Sequence, residues 1–85
     1  MPTISLFYGI LIRMHAQKEH NPKHFHAQYG EYDAVFNFDG EILEGEFPPK
    51  QAKLVGAWAV LRKEDLEANW NLGFNGEQVK DISPL

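Results

Sequence analysis

The chain contains no cysteine. That absence excludes disulfide scaffolds, thiol nucleophiles and cysteine-ligated zinc together. No apolar run approaches the roughly 18 residues a membrane-spanning helix needs. The N-terminus also shows no secretory pattern, so a soluble, cytoplasmic protein without membrane contact is expected. Bases are scarce as well: 8 Lys and Arg stand against 12 Asp and Glu, a formal charge of −4 with neutral histidines. The shortage is uneven. Residues 1–30 hold Arg13, Lys18, Lys23 and a single acid, Glu19, whereas the stretch from Glu31 to Glu46 holds six acids and no base. Broad capture of nucleic acid needs a basic surface that releases counterions, and the acidic second half argues against it.

Apolar residues make up 44% of the chain, the proportion of an ordinary globular protein. With 85 residues the expectation is one domain spanning positions 1–85. So short a chain has little apolar surface to bury, which puts weight on its six Phe, three Tyr and two Trp. No repeat, linker or low-complexity tract interrupts it.

The first half has the period of strands. Tyr8, Ile10, Ile12 and Met14 alternate, which predicts a half-buried strand over Tyr8–His15. Asn21-Pro22 marks a turn, because proline pushes the preceding residue to an extended backbone. From His24 to Tyr29 the chain alternates again, with Phe25, Ala27 and Tyr29 on one face and His24, His26 and Gln28 on the other. Gly30 permits a reversal. Tyr32, Ala34, Phe36 and Phe38 continue the apolar face through a third strand. Asp39-Gly40 predicts a two-residue hairpin. Leu43, Gly45 and Phe47 suit a short fourth strand that stops at Pro48-Pro49.

Beyond the prolines the period becomes helical. Leu54, Val55, Trp58 and Leu61 form one stripe, and Gly56 allows a close approach to the sheet. The stripe slips at Asp65 and resumes with Leu66 and Trp70, so two helices are predicted, near 50–62 and 64–74. Glu64 and Asp65 suit the second helix's N-terminus, and Asn75-Gly76 its end. The tail should be extended, with Ile82 or Leu85 pinned to the body. The fold class is therefore α+β: a four-stranded antiparallel meander with two C-terminal helices packed on one face. Phe25, Tyr32, Phe36, Phe38, Leu54, Trp58 and Trp70 are the expected core.

All four histidines fall between positions 15 and 26. The parity of strand pairing places His15 opposite His24 or His26, Asn37 beside His24, Val35 beside His26, and Glu44 beside Val35. His15, His24 and His26 then share the face away from the helices, flanked by Arg13 and Asn37, with His20 in the loop above. Two chemistries fit such a cluster. Neutral imidazoles at His15, His24 and His26 would ligate a transition metal such as zinc. Alternatively, His20, His24 and His26 offer general acid and base groups, with Arg13 to stabilise a phosphoryl charge. Plain surface decoration accounts for His-x-His on a strand equally well.

Certain residues carry a resemblance. Met1-Pro2-Thr3-Ile4-Ser5 and Phe7-Tyr8-Gly9-Ile10, then His20-Asn21-Pro22-Lys23-His24-Phe25-His26, Tyr29-Gly30 and Tyr32, resemble a family of small bacterial proteins called domain of unknown function 4160. Leu43-Glu44-Gly45, Trp58, Leu66, Asn69-Trp70 and Pro84-Leu85 extend the similarity over nearly the whole chain. The segment from His20 to His26 is the family's hallmark. Arg62 departs from it, since relatives often carry a histidine there. The resemblance brings no reaction with it. It implies a functional locus at His20, Asn21, Pro22, His24 and His26, with Phe25 turned into the core. It also implies a small partner protein, since similar genes often lie beside another small gene in the manner of toxin–antitoxin pairs. Three readings follow: a component of a two-protein module whose histidine face contacts a partner or RNA, a small metal-binding domain, and a non-catalytic interaction module.

Overall fold

The computed structural model describes residues 2–15 and 22–85. Five strands run in chain order, β1 (Thr3–Phe7), β2 (Ile10–Arg13), β3 (His24–Tyr29), β4 (Tyr32–Asn37) and β5 (Ile42–Gly45). Each is antiparallel to the next, so neighbours in sequence are neighbours in the sheet. Helices α1 (Pro49–Leu61) and α2 (Lys63–Phe74) follow. The protein is α+β, with five strands where the apolar pattern predicts four.

The additional strand is β1. Its buried residues are Ile4, Ser5 and Phe7, because a bulge between Thr3 and Ser5 shifts the register against β2. A broken alternation hides such a strand from any search for period two. The hairpin closes through Tyr8-Gly9, with φ of 48° and 76°, positive values at both positions, as in the primed turns that match strand twist. The expectation that Tyr8 begins a strand and faces the core is therefore corrected. Tyr8 sits exposed in the turn, and the strand after it is only Ile10–Arg13.

β3 and β4 pair as parity predicts, with His24 opposite Asn37, Phe25 opposite Phe36 and His26 opposite Val35. Tyr32 is a second correction. It has core parity but stands beside the Gly30 reversal, at the end of its strand, and is 47% exposed. The Asp39-Gly40 hairpin also differs from expectation. The connection spans Phe38 to Glu41, and Asn37 organises it: its Oδ1 accepts from the amides of Asp39 (3.0 Å) and Glu41 (2.9 Å), while its Nδ2 donates to Glu41 (3.0 Å). Beyond this loop the β4–β5 register shifts between Val35 and Phe36. All four β5 residues are exposed as a result. Leu43 is exposed, whereas Phe47, just beyond the strand, is buried against Phe36.

The core is aromatic at its centre. Phe25 stacks on Phe36 with ring centroids 5.7 Å apart and meets Trp58 edge-on at 5.5 Å. Trp58 also touches Phe7, and Trp70 touches Phe38. Such pairs add to the area they bury by about 0.5–1.5 kcal/mol each. Val55 and Ala59 of α1 and Leu66 of α2 complete the helical share of the core.

Glu64 and Asp65 occupy the first turn of α2, opposite in sign to that end of the helix dipole. The helix stops at Asn75-Gly76, where Gly76 takes φ of 79° and the Glu77 amide donates back to Leu72 at 2.8 Å. Gly56 of α1 lies so near Gly40 that a Cβ on Gly40 would come 2.7 Å from the Gly56 Cα. The tail is pinned along its length. Ile82 is buried and its amide donates to the Ile4 carbonyl (2.7 Å). Trp58 Nε1 donates to the Ser83 carbonyl (2.9 Å), and buried Asn69 bonds both backbone groups of Lys80. No helix among the described residues is long and apolar enough to cross a membrane.

Candidate functional site

His24 and His26 alternate with buried Phe25 and Ala27 on β3, so both imidazoles leave the strand on the face opposite those core residues. One row across the sheet reads Arg13, His26, Val35, Glu44, each opposite the next on β2, β3, β4 and β5. His24 lies two residues along, with its ring centroid 5.5 Å from that of His26. Together with Pro22, Val35, Leu43 and Glu44 the two histidines line an open cleft of about 510 Å³. Leu43 enters its wall because of the shifted register of β5.

His24 is held from two sides. Its Nδ1 is 2.8 Å from the Pro22 carbonyl, a contact that makes Nδ1 the donor and leaves Nε2 as the acceptor of the neutral ring. Its ring also meets Trp70 at 5.4 Å. Trp70 therefore reaches both buried Phe38 and His24, which alternates with the core residues of β3, at the end of the sheet where β3 begins. Lys23 pairs with Glu67 of α2 alongside. The backbone carbonyl at position 22 thus orients the histidine two residues on.

His26 titrates below its ordinary value of 6.5. Burial is the main cause, followed by the nearby His24 charge. Asp33 and Glu44 oppose these two, and Arg13 adds a smaller push in the lowering direction. At neutral pH His26 is accordingly neutral, a hydrogen-bonding group rather than a cation.

The three-histidine ligand set is not assembled. The β2–β3 pairing ends at Arg13 and His26, and the Met14 amide turns to the Pro2 carbonyl on the β1 side (3.3 Å). His15 then lines a different cleft, with Met14 and the Gly73–Gly76 end of α2. Among the described residues no group of three His, Asp or Glu side chains is placed to hold a metal ion. His20 and Asn21 lie outside the described residues. Arg13, expected only to flank the cluster, stands directly opposite His26, the place that parity offered to His15. Asn37 stands opposite His24 but is engaged by its own loop.

Sequence reasoning assigns two further residues no part in the site. Helical spacing marks Trp70 only as a core anchor, and nothing in that spacing signals the His24 contact. Arg62 donates to the carbonyls of Ser83 and Pro84 at 3.1 Å each. This cation is thus a clamp on the tail.

The model of the family described as domain of unknown function (DUF4160) matches residues 9–71. The chain belongs to this family. No curated protein and no solved structure matches it. The DUF4160 match takes in β2 to β5, α1 and most of α2, and with them Arg13, His24, His26, Glu44 and Trp70. β1 and the pinned tail fall outside it.

Proposed function

We propose that this DUF4160 protein is the partner-binding component of a two-protein module of the toxin–antitoxin kind, and that the His24–His26 cleft is the surface that meets the partner. In this reading both helices cover the opposite face of the sheet and leave the histidines free to make contact. The observation that carries it is the fixing of His24 between the Pro22 carbonyl and Trp70. A strand imidazole in solvent samples several rotamers, whereas one already ordered loses little entropy on binding. The cleft joins apolar wall, from Val35 and Leu43, to a few polar groups, the usual make-up of a recognition surface. Charge disfavours RNA as the ligand, since Arg13 is the one base in a row that ends in Glu44.

Co-purification from the native host, read by mass spectrometry, should return one small protein in stoichiometric amount. His24→Ala and His26→Ala should each lose it while melting as cooperatively as the parent. Retention of the partner by both variants would sink the reading.

The pairing of a neutral His26 with an oriented His24 favours a second reading, general acid–base chemistry assisted by Arg13. Incubation with RNA separates the two. Cleavage abolished in both histidine variants and in Arg13→Ala supports catalysis, and intact RNA removes it.

A further inference from the structure

The two edges of the sheet are treated differently. Along β1, the Ile82 amide bonds the Ile4 carbonyl, and Asp81, Ile82 and Pro84 lie against Thr3–Leu6. The chain's own tail occupies that edge. β5 forms the other edge, and no described segment pairs with its outer side. A bare edge is a template for a further strand, and natural edges are commonly blunted by charge, proline or bulges. Here the bulge and Glu44 are present, yet Ile42 and Leu43 remain 42% and 47% exposed. Protection alone would not retain two large apolar side chains.

Charge identifies the occupant. Of the six acids from Glu31 to Glu46, only Asp39 is in an ion pair among the described residues, with Lys63. Glu44 lies on β5, and just beyond its end Glu46 shares an open cleft of about 440 Å³ with Glu31, Tyr32 and Asp33. The Glu46 amide donates to the Asp33 carbonyl, which keeps these carboxylates at the edge (3.3 Å). A second copy of this chain fits poorly. Antiparallel pairing of β5 with itself sets Glu44 against Glu44 or Glu41 against Glu46 in the registers centred on or beside Glu44, and a register centred on Leu43 sets Ile42 against Glu44. Like charges opposed across strands are destabilising.

We infer that β5 accepts an extended segment of the partner protein as an added strand, one in which apolar residues alternate with Lys or Arg. The apolar side chains cover Ile42, which stands opposite Phe36. The basic ones lie on the face of Val35, meeting Glu44 and the cleft of Glu31, Asp33 and Glu46 with their aliphatic stems over Leu43. Backbone pairing supplies affinity and alternate side chains the choice of sequence, as in other cases of strand addition. Tyr32, exposed beside those carboxylates, offers an aromatic surface for a cation. The inference rests on the proposed partner; the edge shares Leu43 and Glu44 with the wall of the histidine cleft but adds the unpaired backbone of β5 and the carboxylates beyond it.

The probe is an eight-residue peptide of alternating Val and Lys with blocked ends. Its controls replace every Lys by Glu, or every Val by Pro, which keeps the charge and abolishes pairing. In amide NMR spectra the Val-Lys peptide should shift Ile42–Glu46 and Tyr32 most and slow hydrogen exchange along β5. Neither control should do so. The double substitution Glu44→Lys with Glu46→Lys should weaken binding at least tenfold without lowering the melting temperature, and Glu46→Lys alone, outside the strand, serves as a milder variant. Shifts centred on His24 and His26, equal binding by the Pro control, no binding, or a dimer that buries β5 would each overturn the inference. The two proposals fail separately. If the natural partner is retained by Glu46→Lys, a position that does not line the histidine cleft, but lost by His24→Ala, the edge inference falls and the histidine reading stands. The opposite pattern removes the histidine reading and leaves the edge in place.

Discussion

His26 shows how burial tunes a single side chain. Because the fold opposes its charging, the unfolded chain takes up that proton more readily. The resulting stability is whole above pH 6.5, the unfolded value, and is lost as the pH falls through the lower folded value. Urea titrations across that window should show stability falling toward acid, and His26→Gln should flatten this component of the slope. An unchanged slope in the variant would mean that His26 is no more buried than a free imidazole. Trp58 makes the larger contribution. It is fully buried between Phe7 and Phe25, with its indole N–H on the tail. Trp58→Ala should cost about 3–5 kcal/mol by denaturant unfolding. A loss below about 1 kcal/mol would contradict its place at the centre of the core.

At the scale of elements, two close approaches hold the layers in register. The first is that of the β4–β5 loop to α1. Gly40 has φ of 85°, and its missing Cβ is the space that Gly56 occupies. Gly40→Ala combines a left-handed backbone with a backbone clash and should destabilise by about 2–4 kcal/mol. Gly56→Ala should be milder, because its Cβ would meet only the Gly40 carbonyl oxygen at an ordinary 3.8 Å. Equal effects at the two positions would refute the geometry. The second is the tail, held by Asn69, Trp58 and Arg62 through backbone groups of Lys80, Ser83 and Pro84. Asn69→Ala removes two of these bonds and leaves a buried site unfilled, so a cost of about 1–3 kcal/mol is expected. Hydrogen exchange at the Ile82 amide should quicken in that variant before any other strand amide does.

For the whole molecule, one core is shared by every layer: Ile4 and Phe7, Phe25 and Phe36, Val55 and Trp58, Leu66 and Trp70, and Ile82 of the tail. Nothing in such an arrangement can leave early and remain buried. Unfolding should therefore be all-or-none, as for most small domains. Tryptophan fluorescence, which reports Trp58 and Trp70, and far-ultraviolet circular dichroism should give coincident melting curves. A fluorescence change that precedes loss of the sheet would show the helices undocking alone. For a chain of this length total stability is on the order of 5–10 kcal/mol, so Trp58→Ala alone should remove much of it.

Local apolar period was enough to show that β3 and β4 are strands, that Phe25 and Phe36 face inward, that two helices begin after Pro48-Pro49, and that Gly56 permits close packing. Parity then put Val35 opposite His26 and Asn37 opposite His24, since strand pairing is a rule of integers. It failed wherever an extra residue enters the count. The bulge in β1 concealed a strand, and the bulge in β4–β5 set Leu43 in the cleft wall, a place the alternation did not signal. It failed again at His15, because alternation says which face a residue takes but not where a ladder ends. The remainder came from contacts between distant segments: the Pro22 carbonyl on His24, Trp70 against the same ring, and Arg62 and Asn69 on the tail. Those bonds end largely on backbone carbonyls, which every residue possesses, so the residue type at the accepting end carries no sign of them. Only the packing of α2 and the tail against the sheet selects which carbonyls are reached.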